Sequence, residues 1–164
     1  MPAQRWRRPV SLQVGRPAPS VGPHRAIPNA TERLEIGLHA ETVLIVGDEH
    51  TAPHVGSGRI HVLATPVMVN LMEAAALQAV DGLLPDGYQT VGTRLDIAHF
   101  AATPVGMRVK ARAEVIALEG RAVTFRLTAE DEREPIGTGT HERIVVNVAR
   151  FDMRIQQKLA ERGS

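Results

Sequence analysis

Apolar and polar residues alternate strictly in the second half of the chain, which is typical of strands with one covered face. Residues 107–117 carry apolar side chains at every second position, with charged side chains between them up to Glu114, and in residues 123–129 apolar side chains alternate with threonine and arginine. Glu119 and Gly120 lie between the two segments and favour a two-residue turn. The pattern therefore predicts an antiparallel hairpin.

Other short segments have the composition of strands. They are residues 41–46, residues 59–63 as the weakest, residues 91–97 and residues 143–148. In the third of these, Val91, Leu95 and Ile97 are expected on one face of the sheet. A further segment, residues 151–162, predicts a final and mostly exposed helix.

A long apolar stretch in the middle of the chain predicts a helix. Thr65 suits its N-cap, Pro66 its first helical position and Gly82 its end. Apolar residues lie around almost its whole circumference, which is typical of a helix in the interior. One buried helix followed by antiparallel strands favours a curved sheet wrapped around that helix, so the predicted class is α+β.

The first 32 residues differ from the rest because they are rich in proline and arginine and show no periodicity. Such a segment does not bury enough apolar surface to offset its ordering entropy. We therefore predict a disordered or loosely attached tail over residues 1–32 and a single domain with a short C-terminal helix over residues 33–164. A hydrophobic content of 43% suffices for one core in a chain of 164 residues.

The charge is nearly balanced, with 19 Lys and Arg against 18 Asp and Glu, which argues against a nucleic-acid partner. The sequence contains no cysteine, which excludes disulfides, thiolate catalysis and cysteine-bound zinc. No apolar run approaches the roughly 20 residues that cross a bilayer, and no signal peptide is recognised. We expect a soluble cytoplasmic protein with no membrane partner.

Glu73 is the most informative polar residue, because it lies inside the apolar helix. Three of its helical neighbours, Val69, Ala76 and Leu77, are apolar. An ionised carboxylate in such surroundings requires a partner, unless it takes up a proton. Either state is compatible with a general base or nucleophile. The alternative is a glutamate that bonds a neighbouring chain at a subunit boundary.

His99 follows Leu95 and Ile97 at strand spacing and is expected to face the helix. A single histidine of this kind is more often a satisfied core residue than a catalyst. Its expected position in the same interior as Glu73 would suit proton transfer near neutral pH.

Thr65 has a complete explanation as an N-cap. The functional alternative is that its hydroxyl and the helix N-terminus stabilise a developing negative charge. A helix that begins at Pro66 separates Thr65 and Glu73 by roughly 12 Å along its axis. The two residues therefore meet only if the helix begins later or if two protomers share the site.

Weaker signals accompany these three residues. Gly92 interrupts a strand and indicates either a bulge or a close approach of ligand to the backbone, while Arg143 is expected in a surface ion pair.

His50 and His54 have helical metal-site spacing but enclose a proline, so we expect no metal site. We also expect no phosphate loop at residues 137–140, because no helix follows, and no GxSxG motif is present.

Three stretches of the sequence together resemble a known family. They are VGSGRIHVLATPVMVNLMEAAA at 55–76, TVGTRLDIAHFAATPVGMRVKARAEV at 90–115 and GTGTHERIVVN at 137–147. They are similar to the hot-dog thioesterases related to fluoroacetyl-CoA thioesterase, over residues 41 to about 150. The resemblance implies a hot-dog fold, with one long central helix wrapped by a curved antiparallel sheet of about five strands.

The resemblance also implies the reactive groups. Thr65 matches the family's Ala-Thr-Pro motif, Glu73 its following helix and His99 its His-x-Ala-Ala-Thr-Pro-x-Gly segment, and these three are the implied catalytic residues. Gly92 and Arg143 match positions associated with substrate binding. The implied reaction is hydrolysis of a short-chain acyl-CoA to free acid and CoA, without a metal or other cofactor. The apolar inner sheet and helix leave hydrophobic edges that a second copy would cover, so we expect a homodimer with sites near the subunit interface.

One segment departs from the family pattern. Phenylalanines precede the helix in the family's best-known member, whereas residues 54–59 contain no aromatic side chain here. We therefore favour a general acyl-CoA substrate over fluoroacetyl-CoA. The acyl group and the choice of nucleophile between Glu73 and Thr65 stay open at this point, as does the role of residues 1–32.

Two other functions fit the same pattern. A hot-dog acyl-CoA hydratase or dehydratase also uses a histidine and a carboxylate, but the Thr-Pro at the helix start favours the thioesterase. A non-catalytic protein that binds acyl-CoA or another apolar ligand is the second alternative, because burial alone explains both Glu73 and His99.

Overall fold

The computed structural model describes residues 29–162, and the predicted tail up to residue 28 lies outside the described residues. The described residues contain five strands: β1 His39–Ile45, β2 Tyr88–His99, β3 Arg108–Glu119, β4 Ala122–Glu130 and β5 Pro135–Asn147. They also contain three α-helices: α1 Ala52–Val55, α2 Thr65–Val80 and α3 Val148–Glu161. Short 3₁₀ turns precede α1 and follow α2, at Asp48–His50 and Asp81–Leu83.

The strands form one antiparallel sheet in the order β1-β3-β4-β5-β2. The sheet curls around α2, which packs mainly over β1 and β3. The predicted α+β class is therefore confirmed. Because β2 lies at the far edge of the sheet, its inner face receives little cover from the helix, and Leu95 stays 40% exposed.

The predicted hairpin is confirmed as β3 and β4, with its turn one residue later than expected. Gly120 and Arg121 form the turn, and Gly120 adopts a left-handed φ of 58°, which glycine tolerates without strain. The expected alternation of β3 ends at a bulge after Val115. Beyond the bulge Leu118 pairs with the buried Val123, so the predicted inward position of Ala117 is wrong.

Helix α2 buries one face rather than its whole circumference. The buried side chains are Met68, Met72, Ala75, Ala76, Ala79 and Val80. The opposite side is exposed in the single chain, and Leu77 there is 38% exposed. The predicted interior position is correct only for one face, since five strands curl around one side of the helix.

Residues 59–63 do not form the predicted strand. Only Val62 and Leu63 make isolated bridges, to Pro104 and Thr51 respectively. The N–H of Val62 donates to the carbonyl of Ile60 at 2.9 Å. This local turn replaces the ladder that a strand would need.

The face assignment of Val91 is also wrong. A bulge shifts the register of β2 against β5 between Gly92 and Arg94. Residues before and after the bulge therefore swap faces, so that Val91 lies on the face opposite to Leu95 and Ile97.

The end of the chain largely follows the prediction. Strand β5 begins at Pro135, well before the predicted residue 143, and includes residues 137–140. Helix α3 is exposed as expected, and the side chain of Asn147 caps it by accepting from the N–H of Arg150 at 3.1 Å. Among helices of the described residues, none has the length and hydropathy that a membrane span requires.

Candidate active site

Thr65 is the first residue of α2, not its N-cap. The N-cap position belongs to Ala64, which has no side chain able to cap. The Thr65 hydroxyl instead lies 2.8 Å from Nδ1 of His99, at the end of β2. The capping explanation of Thr65 is therefore wrong, and its hydroxyl is free to take part in chemistry.

Few backbone donors remain at this end of α2. Pro66 has no N–H, and the N–H groups of Val67 and Met68 donate to the Ala64 carbonyl at 3.0 and 3.1 Å. An incoming anionic group would therefore meet the N–H of Thr65 and the positive end of the helix dipole.

His99 faces the helix, as its spacing predicts. Burial lowers the pKa of His99 below its ordinary value of 6.5, and an interaction with the Ala101 carbonyl raises it by less. Its Nε2 is buried and has no hydrogen-bond partner among residues 29–162. A neutral ring whose Nε2 carries the proton accepts the Thr65 hydroxyl hydrogen at Nδ1, which is the geometry of a general base.

A cleft of about 330 Å³ opens beside this pair. It is lined by Ala52, Ser57, Val62, Leu63, Thr65, His99, Phe100, Ala101 and Ala102. The volume lies at the lower end of the range of ligand pockets. The cleft therefore has room for a small ligand.

Glu73 lies two turns further along α2 and is 36% exposed. Its Oε1 is 3.9 Å from Nη1 of Arg143 and 3.6 Å from Nε2 of His141. The Glu73 carboxylate therefore has a cationic partner, which the sequence analysis requires of an ionised glutamate in apolar surroundings.

Arg143 does not form the surface ion pair that we predicted. It is only 8% exposed, because β5 begins at residue 135 and places Arg143 in the middle of the strand, facing inward. Its Nε donates to the hydroxyl of Thr90 at 2.9 Å and its Nη2 to the carbonyl of Thr90 at 3.0 Å. These bonds hold the guanidinium rigidly next to Glu73.

His141 is a site residue that sequence reasoning missed. It is buried, and its Nε2 lies 3.1 Å from Nη1 of Arg143. A signal was present in the sequence, because strand spacing puts His141 on the same face as Arg143.

Gly92 makes room for this group. A Cβ at Gly92 would lie 3.0 Å from Oε1 of Glu73 and 3.0 Å from Cε1 of His141. The predicted bulge is confirmed at this residue. A larger residue at this position would therefore press on Glu73 and His141.

The structure divides the predicted catalytic residues between two places. Thr65 and His99 meet at the start of α2, whereas Glu73 contacts Arg143 and His141. Because α2 is helical from Thr65 onward, Thr65 and Glu73 are separated by roughly 12 Å along the axis. No ion pair or hydrogen bond joins Glu73 to His99 within residues 29–162.

The two histidines with metal-site spacing lie apart from both groups. Nδ1 of His50 accepts the N–H of Gly47 at 2.9 Å, and His54 lies in α1. In the part of the chain that the structure describes, no three acidic or histidine side chains are grouped to hold a metal ion.

Comparison with known proteins identifies relatives of the whole core. The profile of the family FlK, fluoroacetyl-CoA-specific thioesterase, matches residues 46–149. The fluoroacetyl-CoA thioesterase of Streptantibioticus cattleyicolor is 41% identical over 97 residues, which are 59% of this chain and 70% of that protein.

Solved structures agree with this relationship. A structure of the fluoroacetyl-CoA thioesterase FlK has a TM-score of 0.72 and 34% identity, over 76% of this chain and 97% of that one. A hot-dog-like protein from Thermanaerovibrio acidaminovorans has a TM-score of 0.72 and 25% identity, over 78% and 95% of the two chains. The predicted hot-dog fold is confirmed.

Proposed function

Because this chain belongs to the fluoroacetyl-CoA-specific thioesterase family, we propose that it is an acyl-CoA thioesterase that hydrolyses a short-chain acyl-CoA to free acid and CoA. The observation that carries the proposal is the 2.8 Å contact between Thr65 and His99 at the mouth of a small cleft. A hydroxyl held by a neutral imidazole beside a ligand-sized space is suited to acyl transfer.

The thioester carbonyl lies over the start of α2, where the Thr65 N–H and the helix dipole stabilise the developing oxyanion. Glu73 takes the proton of a water molecule that adds to the carbonyl, or it attacks the carbonyl itself and forms an acyl anhydride that water then hydrolyses. In either route the C–S bond breaks and CoA leaves as the thiolate, and neutral His99 relays to it the proton that the water molecule releases. Thr65 orients the substrate or serves as the alternative nucleophile, with His99 as its base. The reaction uses no metal or redox cofactor, and CoA enters only as part of the substrate.

The substrate proposed here is a general short acyl group rather than fluoroacetyl. Residues 54–59 contain no aromatic side chain, and Ile60 next to them is 75% exposed. The cleft is lined on that side by Ser57 and Ala52. These small side chains do not distinguish a fluorine atom from a hydrogen atom by packing. We therefore expect kcat/KM for fluoroacetyl-CoA to exceed that for acetyl-CoA by less than about tenfold.

We place the active site at the boundary of a cytoplasmic homodimer. Thr65 and Glu73 are too far apart to act on one carbonyl within a chain, which supports a site shared by two protomers. The exposed Leu95 on the edge strand and the exposed Leu77 on α2 support a partner surface of the same kind on each copy. The lack of cysteine is consistent with a reducing compartment.

The first test is thiol release from acetyl-, propionyl-, butyryl-, hexanoyl- and fluoroacetyl-CoA. Wild-type protein is compared with Glu73→Ala and with Glu119→Ala, which changes an exposed glutamate at the end of β3. We expect turnover of at least one short acyl-CoA, lost in Glu73→Ala and kept in Glu119→Ala. Retention of acyl-CoA without thiol release would favour a binding protein instead.

A second test addresses the shared site. Thr65→Val and Glu73→Ala should each lose about 99% of the activity or more on this proposal. A mixed dimer, however, contains one intact site, in which Thr65 comes from one chain and Glu73 from the other. Exchanging equal amounts of the two variants should restore about a quarter of wild-type activity, because half of the dimers are mixed and each has one working site. Failure to recover activity in dimers shown to have exchanged would place all reactive groups in one chain.

A further inference from the structure

His141 is a buried titratable residue that the proposed mechanism does not use. It is 1% exposed and lies on β5 two residues before Arg143. Four elements surround its ring: Glu73 approaches from α2, Arg143 from β5, the Arg94 carbonyl from β2, and the Phe125 ring from β4 with 6.2 Å between ring centroids.

Its two hydrogen bonds select one tautomer. Nδ1 lies 2.9 Å from the carbonyl of Arg94, and a carbonyl only accepts, so Nδ1 carries the proton. Nε2 lies 3.1 Å from Nη1 of Arg143, and a guanidinium only donates, so Nε2 carries the lone pair. Both bonds form together only when the ring is neutral.

The same tautomer determines what His141 does to Glu73. Oε1 of Glu73 is 3.6 Å from Nε2, but a nitrogen without hydrogen makes no bond to a carboxylate. Nη1 of Arg143 therefore lies between two acceptors, His141 Nε2 at 3.1 Å and Glu73 Oε1 at 3.9 Å. The other guanidinium nitrogens donate to Thr90, so the imidazole is the hydrogen-bond acceptor of the remaining one.

Burial supports the neutral state. Desolvation lowers the pKa of His141 below 6.5, and the positive charge of Arg143 lowers it further. The Arg94 carbonyl and the Glu73 carboxylate act in the opposite direction but do not reverse the shift. The ring therefore stays uncharged at neutral pH.

We infer that His141 is a positioning residue, whose neutral ring provides the third hydrogen bond that holds the Arg143 guanidinium beside Glu73 while leaving the carboxylate oxygens free. Its effect on catalysis rests on the proposed function, in which Glu73 acts on the thioester. A ring with hydrogen on Nε2 would instead donate to Glu73 and occupy an oxygen that the reaction needs.

Two substitutions of His141 separate its two bonds. In His141→Gln the amide oxygen reaches the place of Nε2 and still accepts from Arg143, whereas in His141→Asn the shorter amide reaches only the Arg94 carbonyl. We expect His141→Gln to keep kcat within about threefold and His141→Asn to lose about tenfold to hundredfold, with KM changed less than about threefold in both. His39→Asn, at an exposed ring on β1, is the matched control.

The thermal midpoints of both variants are measured as well, so that a lower kcat is not mistaken for a loss of folded protein. An equal loss of kcat in His141→Gln and His141→Asn, or a greater loss in His141→Gln, would overturn the inference, since a purely structural ring does not distinguish the Nε2 acceptor. Rescue by glutamine alone supports it.

Nitrogen-15 NMR of the histidine rings supplies a readout that does not need activity. We expect His141 to be the neutral Nδ1–H tautomer at pH 7, and solvent exchange of the Arg143 guanidinium protons to be about tenfold faster in His141→Asn but not in His141→Gln. An Nε2–H or charged ring, or equal exchange in the two variants, contradicts the positioning role. If the wild type releases no thiol from any acyl-CoA, the proposed function fails while these NMR data still decide the role of His141.

Discussion

Oγ1 of Thr65 lies 2.8 Å from Nδ1 of His99, and this hydrogen bond joins the first residue of the central helix to the last residue of β2. The two residues are 34 positions apart in the chain. The contact orients the His99 ring, whose Nε2 has no hydrogen-bond partner among the described residues. Removing the Thr65 hydroxyl therefore also removes the hydrogen bond that orients the His99 ring.

Thr65→Val tests this relationship, since valine has the same shape without the hydroxyl. We expect kcat to fall about 100-fold, because proton transfer by a positioned group contributes that order of rate. Thr65→Ser retains the hydroxyl and should lose less than about tenfold. Steady-state thiol release measures both.

The side chain of Thr65 is exposed, so both variants should unfold within about 0.5 kcal/mol of the wild type. Equal activity of the valine and serine variants would show that the hydroxyl has no role in the reaction.

Gly92→Ala tests the close approach of β2 to Glu73. The added methyl would lie 3.0 Å from both Oε1 of Glu73 and Cε1 of His141, so the carboxylate must move. We expect kcat to fall about 10- to 100-fold, because small displacements of reacting groups have effects of this size.

Gly82→Ala is the control for this prediction, because a methyl there meets nothing within 4 Å. Thiol release and the thermal midpoint are measured on both proteins. Activity of Gly92→Ala equal to that of Gly82→Ala would mean that Glu73 tolerates displacement.

Arg143→Lys tests the buried guanidinium. A lysine ammonium does not reproduce the planar fork that contacts Thr90 and His141, and at least one buried partner is left unsatisfied. We expect the free energy of unfolding to decrease by about 2 kcal/mol. Arg126→Lys, on the exposed outer face of β4, should change it by less than about 0.5 kcal/mol. Urea denaturation compares the two, and similar decreases would contradict a structural role of the fork.

The pH dependence of stability follows from the two buried histidines. The pKa values of His99 and His141 are lowered from 6.5 in the folded protein, so the unfolded chain binds more protons below that pH. The free energy of unfolding is therefore highest above pH 6.5 and decreases as the pH falls below it, until the folded pKa values are passed.

Urea denaturation at several pH values between about 8 and 5 measures this decrease. His141→Gln removes one of the two titrating rings and should show a shallower decrease than the wild type. An identical dependence in both proteins would mean that His141 does not contribute.

Local pattern was enough to predict most elements. The alternation in residues 107–117 and 123–129 predicts the hairpin, because a period of two leaves a strand only one way to bury its apolar side chains. The apolar stretch after Thr65 predicts the central helix for a similar reason. The bulge after Val115 escapes such reasoning, since an inserted residue changes the faces without changing the local composition. At Gly92 the glycine indicated a bulge, but not its effect on the face of Val91.

The resemblance to a family identified Thr65, Glu73 and His99 as reactive groups, and this assignment stays a prediction. Residue patterns did not reveal which of the site side chains contact one another. The pattern predicts Arg143 at the surface, because charged residues usually lie there, and it predicts Glu73 and His99 in the same interior without naming the partner of Glu73.

The sequence by itself determined the class of fold, the central helix, the strand pairing of the hairpin and the family. Each of these depends on periodicity or on short motifs, which are local properties of the chain. Only the tertiary structure decided that Thr65 bonds His99 and that Glu73 lies beside Arg143 and His141. Those contacts join residues 34, 68 and 70 positions apart, and their geometry depends on sheet curl, on strand register and on one bulge at Gly92.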